Sequence, residues 1–110
     1  TSTGYSVMKI TKLEEHPLDE KAHIVSLKCG DQSYQTVSRY QNLEEGKLVV
    51  AILDGSIKFD GTTFHKSIQK NINVDVELCC GKELRVNDEF REAFIPEGYN
   101  DGDDFFLGGN

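Results

Sequence analysis

Residues 22–38 run Ala22-His23-Ile24-Val25-Ser26-Leu27-Lys28-Cys29-Gly30-Asp31-Gln32-Ser33-Tyr34-Gln35-Thr36-Val37-Ser38. In the first eight, His23, Val25, Leu27 and Cys29 share one face, and Ser26 and Lys28 the other. That period of two predicts a half-buried strand. Gly30-Asp31 is a two-residue turn signal, so residues 33–38 become its hairpin partner. Upstream, residues 7–13 are β-rich enough for a first strand. It stops before His16-Pro17, because the residue ahead of a proline is pushed out of helical geometry. Downstream, Asn42-Leu43-Glu44-Glu45-Gly46 has the N-cap and glycine stop of a single helical turn. It leads into residues 47–53, the most apolar run, which predicts a central strand. Asp54-Gly55 and Asp60-Gly61 are turn signals around residues 56–59. Residues 63–68 read as a short strand. In residues 73–80, Val74, Val76, Leu78 and Cys80 face one way and Asp75 and Glu77 the other. After Gly81 the pattern fades into a short helical stretch near residues 83–90 and an extended tail. Phe105, Phe106 and Leu107 are its expected anchors.

No segment of about 10–12 residues keeps a helical period, so the chain reads as a single mainly-β domain over residues 1–110. Residues 1–6 form a leader segment and residues 83–110 an acidic extension. Five or six short strands with glycine turns suit a small closed or partly open barrel, the five-stranded Greek-key OB-fold among them. One or two helical turns and a C-terminal segment packing back complete the expected architecture. No run approaches the roughly 20 apolar residues of a membrane helix, and no charged-then-apolar leader opens the chain. Cys29, Cys79 and Cys80 are odd in number and contain no C-x-x-C. They therefore predict free thiols in a reducing, cytoplasmic setting.

The net charge of −7 argues at first against nucleic acid, which attracts basic surfaces. Its distribution weakens that objection. Residues 1–82 carry ten Lys/Arg against eleven Asp/Glu, whereas residues 83–110 carry two against eight. The body is near neutral and leaves room for a basic patch. Catalytic patterns are missing: there is no G-x-S-x-G, no H-E-x-x-H, no Walker loop and no G-x-G-x-x-G. Asp103-Asp104 and Glu44-Glu45 are paired only in sequence, and His16, His23 and His65 lack metal-ligand spacing. A non-catalytic binding module with no cofactor and no metal is expected.

Specific stretches carry a family resemblance. Val7-Met8-Lys9-Ile10, Leu13-Glu14-Glu15-His16-Pro17 with Asp19-Glu20-Lys21, Val25-Ser26-Leu27-Lys28-Cys29-Gly30-Asp31 and Thr36-Val37-Ser38 follow one another. Glu45-Gly46-Lys47-Leu48-Val49-Val50, Leu78-Cys79-Cys80 and Phe94-Ile95-Pro96-Glu97-Gly98 with Asp101-Gly102-Asp103 come later. Together they resemble the tRNA-binding OB-fold domain of aminoacyl-tRNA synthetases and their cofactors, including the endothelial-monocyte-activating-polypeptide-like type. The resemblance spans roughly residues 7–104 and is sharper in the N-terminal half. It implies a barrel that binds tRNA weakly and without sequence specificity, with no catalysis. Such a domain is joined to a methionyl-, tyrosyl- or lysyl-type synthetase or an associated scaffold protein. Stand-alone members dimerise, which adds a homodimer to the expected partners, and the cofactor type also acts as a released, cytokine-like domain. Two departures stand out. Arg39 replaces the glycine of the family's T-V-S-G, and residues 65–78 lack its Arg-Gly and Ser-x-Gly-Met elements. Asp75 and Glu77, outward by alternation, add negative charge there, which implies weakened phosphate contacts. A degenerate barrel that binds protein rather than RNA is the alternative.

The candidate RNA surface is Ser38, Arg39, Lys58, Lys66, Lys70 and Lys82, with Tyr40 and Phe64 as stacking rings. OB-folds combine a basic groove with aromatic platforms. Each lysine taken alone is more often a solvated surface residue, and each ring is as readily core as platform. If the aromatic tail anchors as expected, deleting residues 101–110 lowers the melting temperature; an unchanged melt would sink that expectation.

Overall fold

The computed structural model describes residues 3–106, and Leu107 lies outside them. The strands are β1 (Tyr5–Glu15), β2 (His23–Cys29), β3 (Gln32–Ser38), β4 (Leu48–Leu53), β5 (Ser67–Gln69), β6 (Ile72–Val74) and β7 (Val76–Leu78). Five of them form one antiparallel sheet in the order β3-β2-β1-β4-β7, and β5 pairs with β6 as a separate hairpin. Among the described residues there is no helix, and so none long and apolar enough to cross a membrane.

β1 makes the sheet curl. Its N-terminal half pairs with β4, from Tyr5 opposite Ile52 to Lys9 opposite Leu48. Its C-terminal half pairs with β2, from Lys9 opposite Lys28 to Glu15 opposite His23. The register slips between Ile10 and Lys12. Such a bulge bends the strand and increases its twist. The two edges of the sheet are thereby brought together. The Asp75 N–H donates to the Gln35 carbonyl at 2.8 Å. An Asp75 carboxylate oxygen accepts the Gln35 N–H at 2.8 Å. The buried Thr36 hydroxyl donates to the Val76 carbonyl.

Both faces of the central strands are covered. Met8, Ile10, Val25, Leu27, Val49, Ala51, Val76 and Leu78 fill the inside of the curl. Tyr5, Val7, Val50, Ile52, Cys79, Leu84 and Phe105 form a second core on the outside. β4 alternates between the two, which is why it reads as an unbroken apolar run. The outer core is roofed by residues 80–106. Val7 N–H donates to Asp103 O, Gly102 N–H to Val7 O and Phe105 N–H to Tyr5 O, each at 2.8 Å. The C-terminal segment thus adds main-chain pairing to the edge of β1 that β2 leaves open. Tyr5 and Ser6, assigned to a leader by sequence, begin β1. Because both faces are buried, Cys79 and Cys80 are both buried and free.

Neither expected helical segment is a helix. The Asn42 amide does not cap a turn; it donates to Ala93 O and accepts the Ala93 N–H, both at 2.9 Å. Residues 44–47 form a simple turn, with Gly46 at φ 90°. Near residue 83 a single turn closes with Val86 N–H on Gly81 O and Arg85 N–H on Lys82 O. Arg85 sits at φ 60°, the left-handed terminating position where glycine is usual. The expected strand over residues 73–80 is broken into β6 and β7, because Asp75 leaves the ladder to bond Gln35.

Gly102 tests the roof. It has φ 93°, and a Cβ there would lie 3.2 Å from Gly30 N and 3.3 Å from Gly30 Cα, both main-chain atoms. Gly98 has φ 79° with open space around it. Gly98→Ala should cost about 1–2 kcal/mol for conformation alone. Gly102→Ala should cost more, read as the lower melting temperature of the two; equal melts would mean that the Gly30–Gly102 approach is not tight.

Candidate nucleic-acid interface

The eight candidate residues separate into three settings. The first is a groove of about 420 Å³. It lies among the β1–β2 loop, the end of β3 and the connection from β4 through β5 and β6 to β7, and Arg39, Phe64 and Lys70 line it. Arg39 is an exposed side chain whose Nε lies 3.3 Å from Asp19 Oδ2. An exposed pair of this kind is worth about 0–1 kcal/mol, so its guanidinium is readily exchanged to another anion. Lys70 and Asn71 occupy the β5–β6 turn with φ 53° and 66°. Two positive values make a type I′ turn, the connection whose twist suits a two-residue hairpin. Lys70 is thereby held at an exposed tip. Lys66 is exposed at the other end of β5 and lines a separate concavity, its N–H donating to Asp54 Oδ1 at 2.8 Å. Among the described residues neither Lys66 nor Lys70 has an ion-pair partner. Phe64 is half-buried against the outer core and reaches the groove from there.

In the second setting the cation or hydroxyl is already engaged. Lys58 Nζ lies 2.8 Å from Glu77 Oε1, with the lysine side chain 22% exposed. That hydrogen bond holds the Lys58 ammonium above its ordinary pKa. Ser38 is buried, and its Oγ accepts the Tyr40 N–H at 3.2 Å, fastening the end of β3. Tyr40 packs half-buried on the inner core and donates its hydroxyl to Glu83 at 3.1 Å. Burial first, and the Glu83 charge second, push its pKa far up, so it stays a neutral donor. Its ring faces protein, not solvent as a stacking platform would. Lys82 forms the third setting. It lines a small pocket with Lys58, Phe59 and Arg85, with its Nζ 5.7 Å from the centroid of the exposed Phe90 ring.

The two acidic residues expected to repel RNA do something else. Asp75 holds the β3–β7 seam, and Glu77 neutralises Lys58. Alternation along one strand shows neither, because both partners lie far away in sequence. His16 and His65 also line the groove. His16 Nδ1 accepts the Leu18 N–H at 3.0 Å, so any ring proton in that arrangement sits on Nε2. His65 Nδ1 stands 3.9 Å from Asp54 Oδ1. The only sequence signal for His16 is its place before Pro17 in the β1–β2 turn. Among the described residues no group of three His, Cys, Asp or Glu side chains could hold a metal ion.

No family model matches the chain. It is similar to the phenylalanine–tRNA ligase beta subunit of Desulfotalea psychrophila, 27% identical over 97 residues that are 87% of this chain and 12% of that subunit. It is 32% identical over 82 residues to the same subunit of Clostridium acetobutylicum, covering 74% of this chain and 10% of the relative. The chain therefore spans about a tenth of the length of the curated relatives it matches. Among solved structures it shares its fold with a MetRS related protein from Pyrococcus horikoshii. The TM-score there is 0.60 at 13% identity, covering 89% of this chain and 84% of the other. The sequence likeness is thus to a small portion of the ligase beta subunits, and the fold likeness to most of the solved chain.

The seam is directly testable. Asp75→Ala strips the carboxylate from the half-buried Gln35 N–H and should cost about 1–3 kcal/mol. Urea unfolding reads this as a lower midpoint at constant slope. A variant as stable as the parent would mean that Asp75 is a surface charge after all.

Proposed function

We propose that this chain is a non-catalytic RNA-binding domain that works beside an aminoacyl-tRNA ligase in the cytoplasm and holds tRNA loosely by its phosphates. One observation carries the reading. Arg39, Lys70 and Phe64 line one groove where the β1–β2 loop, the end of β3 and the β4–β7 connection converge, and Lys66 lies exposed outside it at the start of the β5–β6 hairpin. In five-stranded Greek-key barrels of the OB type, that face and those loops bind oligonucleotides. The strand order and the β3–β7 seam fit such a barrel. Similarity to ligase beta subunits supports the neighbour, and makes the phenylalanyl type the first choice over the methionyl, tyrosyl or lysyl types.

The chemistry is modest. Among the described residues Lys66 and Lys70 have no ion-pair partner, and Arg39 gives up only a weak pair, so Arg39 and Lys70 can meet phosphates in the groove and Lys66 another outside it. Phe64 offers an apolar edge to a base. Such a site raises the local concentration of tRNA for a tethered catalyst. The alternative, a protein-binding barrel, draws support from the engagement of Lys58 by Glu77, which removes one candidate cation.

Titration with total tRNA at increasing salt tests the proposal. Log affinity should fall linearly with log salt, by ~0.7–0.9 for each phosphate neutralised. Lys66→Ala combined with Lys70→Gly should weaken binding and flatten that slope by about 1.4–1.8. The glycine also suits the left-handed backbone at position 70, so stability is kept. Absence of binding near ~50 mM salt would overturn the proposal, since phosphate attraction is strongest there.

A further inference from the structure

We propose that the bound RNA strand does not end in the groove but continues onto a second surface, an arginine–phenylalanine strip formed by Phe59, Lys82, Arg85, Phe90 and Arg91. The proposal rests on the RNA-binding reading above and extends it into a segment that composition marks as acidic.

The two surfaces adjoin. Glu77 lines the groove and Lys58 lines the small pocket beyond it, and the 2.8 Å pair between them stands at the boundary. Past Lys58, the Phe59 ring is stacked on Tyr5 at 5.4 Å between centroids and carries the Arg85 guanidinium 5.2 Å from its own centroid. Arg85 Nη2 donates to Phe59 O at 3.1 Å. Lys82 completes that pocket and reaches Phe90, whose ring is 58% exposed. Arg91 lies 5.4 Å from the same centroid. Cations and rings therefore alternate along one path, with Phe90 the more exposed of the two rings. Among the described residues Lys82, Arg85 and Arg91 have no ion-pair partner.

This is the chemistry that takes a single strand: cations for successive phosphates and rings for the bases between them. Asp60 and Glu83 line the same pocket, and they and Glu89 are held in hydrogen bonds. Glu83 accepts from the Tyr40 hydroxyl and the Cys80 N–H. Glu89 accepts the Arg91 N–H, and Asp60 caps Thr62. Asp60, Asp88, Glu89 and Glu92 are all exposed carboxylates along the strip, and Asp88 and Glu92 are the two not held in those hydrogen bonds. The backbone adds a separate indication. Arg85 holds a left-handed conformation that costs an L-residue roughly 1–2 kcal/mol. Glycine would serve that turn better, and strain of this kind clusters at binding sites. What the arginine adds is a guanidinium over Phe59.

The test uses the whole chain and a labelled 20-nucleotide oligouridylate. Arg85→Gly with Arg91→Gln keeps the turn and removes two cations. It should flatten the salt slope by about 1.4, at ~0.7 per phosphate on a single strand, with a melting temperature no lower than the parent's. Phe90→Ala, a change at an exposed ring, should weaken binding about tenfold and leave the slope alone, because stacking is not ionic. Asp88→Asn with Glu92→Gln should tighten binding. Parent-like affinity and slope in Arg85→Gly/Arg91→Gln, while Lys66→Ala/Lys70→Gly still flattens the slope, would overturn the strip and leave the groove standing. Loss of a nuclease-resistant protein partner in Arg85→Gly/Arg91→Gln, with RNA binding intact, would also overturn it. If the parent chain binds no oligonucleotide at all, both readings fail together.

Discussion

Everything in this fold depends on how β1 is shared. An eleven-residue strand has main-chain groups on two edges, and buried ones must be paired. β4 takes one edge of its N-terminal half. β2 takes one edge of its C-terminal half, across the bulge at Ile10–Lys12. Two stretches of edge are left over. Residues 102–105 fill the first, and Gly46 and Lys47 bond to Ile10 on the second. The curl of the sheet, the inner core and the outer core all follow from that division. So does the course of the C-terminal segment, which is a third layer and not an appendage.

The same closure creates the groove and decides which charges are free to act there. Where the edges of β3 and β7 meet, Asp75 is spent on Gln35. Where they diverge, the β5–β6 hairpin projects Lys70 over the opening. Glu77 and Lys58 cancel at its margin. An acidic residue at such a seam contributes a hydrogen-bonding geometry, and its charge is a secondary consequence. For this reason a count of carboxylates along residues 65–78 overstates their repulsion of a phosphate.

Local patterning made part of this legible. Alternation through His23, Val25, Leu27 and Cys29 marked β2, Gly30-Asp31 marked its turn, and the apolar run at residues 47–53 marked a strand covered on both faces. The rest depended on partners distant in the chain. Asn42 has the chemistry of a helix cap, but its amide is satisfied on both sides by Ala93. Asp75 looks like an outward residue in a continuous strand until Gln35 is placed beside it. Lys70-Asn71 lacks the glycine that usually announces a type I′ turn. Among the candidate site residues, Arg39, Lys70 and Phe64 are brought together, but nothing local distinguishes them from Lys58, Ser38 or Tyr40. Whether a cation is free depends on a carboxylate such as Asp19 or Glu77, set 20 or so positions away.

The net charge of −7 illustrates the same point at the scale of the whole molecule. Three acids at the end of the C-terminal layer have structural partners. Asp101 accepts a 2.8 Å bond from Lys28, which holds its carboxyl below the ordinary range. Asp103 accepts the Asn100 N–H, and Asp104 the N–H and hydroxyl of Thr3. They fasten the roof over the outer core and line neither the groove nor the arginine–phenylalanine strip. At physiological salt, exposed charges more than about 8 Å apart are largely screened from one another. The charged groups that share the groove with Lys70 are Arg39, Asp19 and Glu77. An acidic protein can hold an anionic strand when its acids are occupied in holding the fold and its unpaired cations are gathered on the surface that the strand touches.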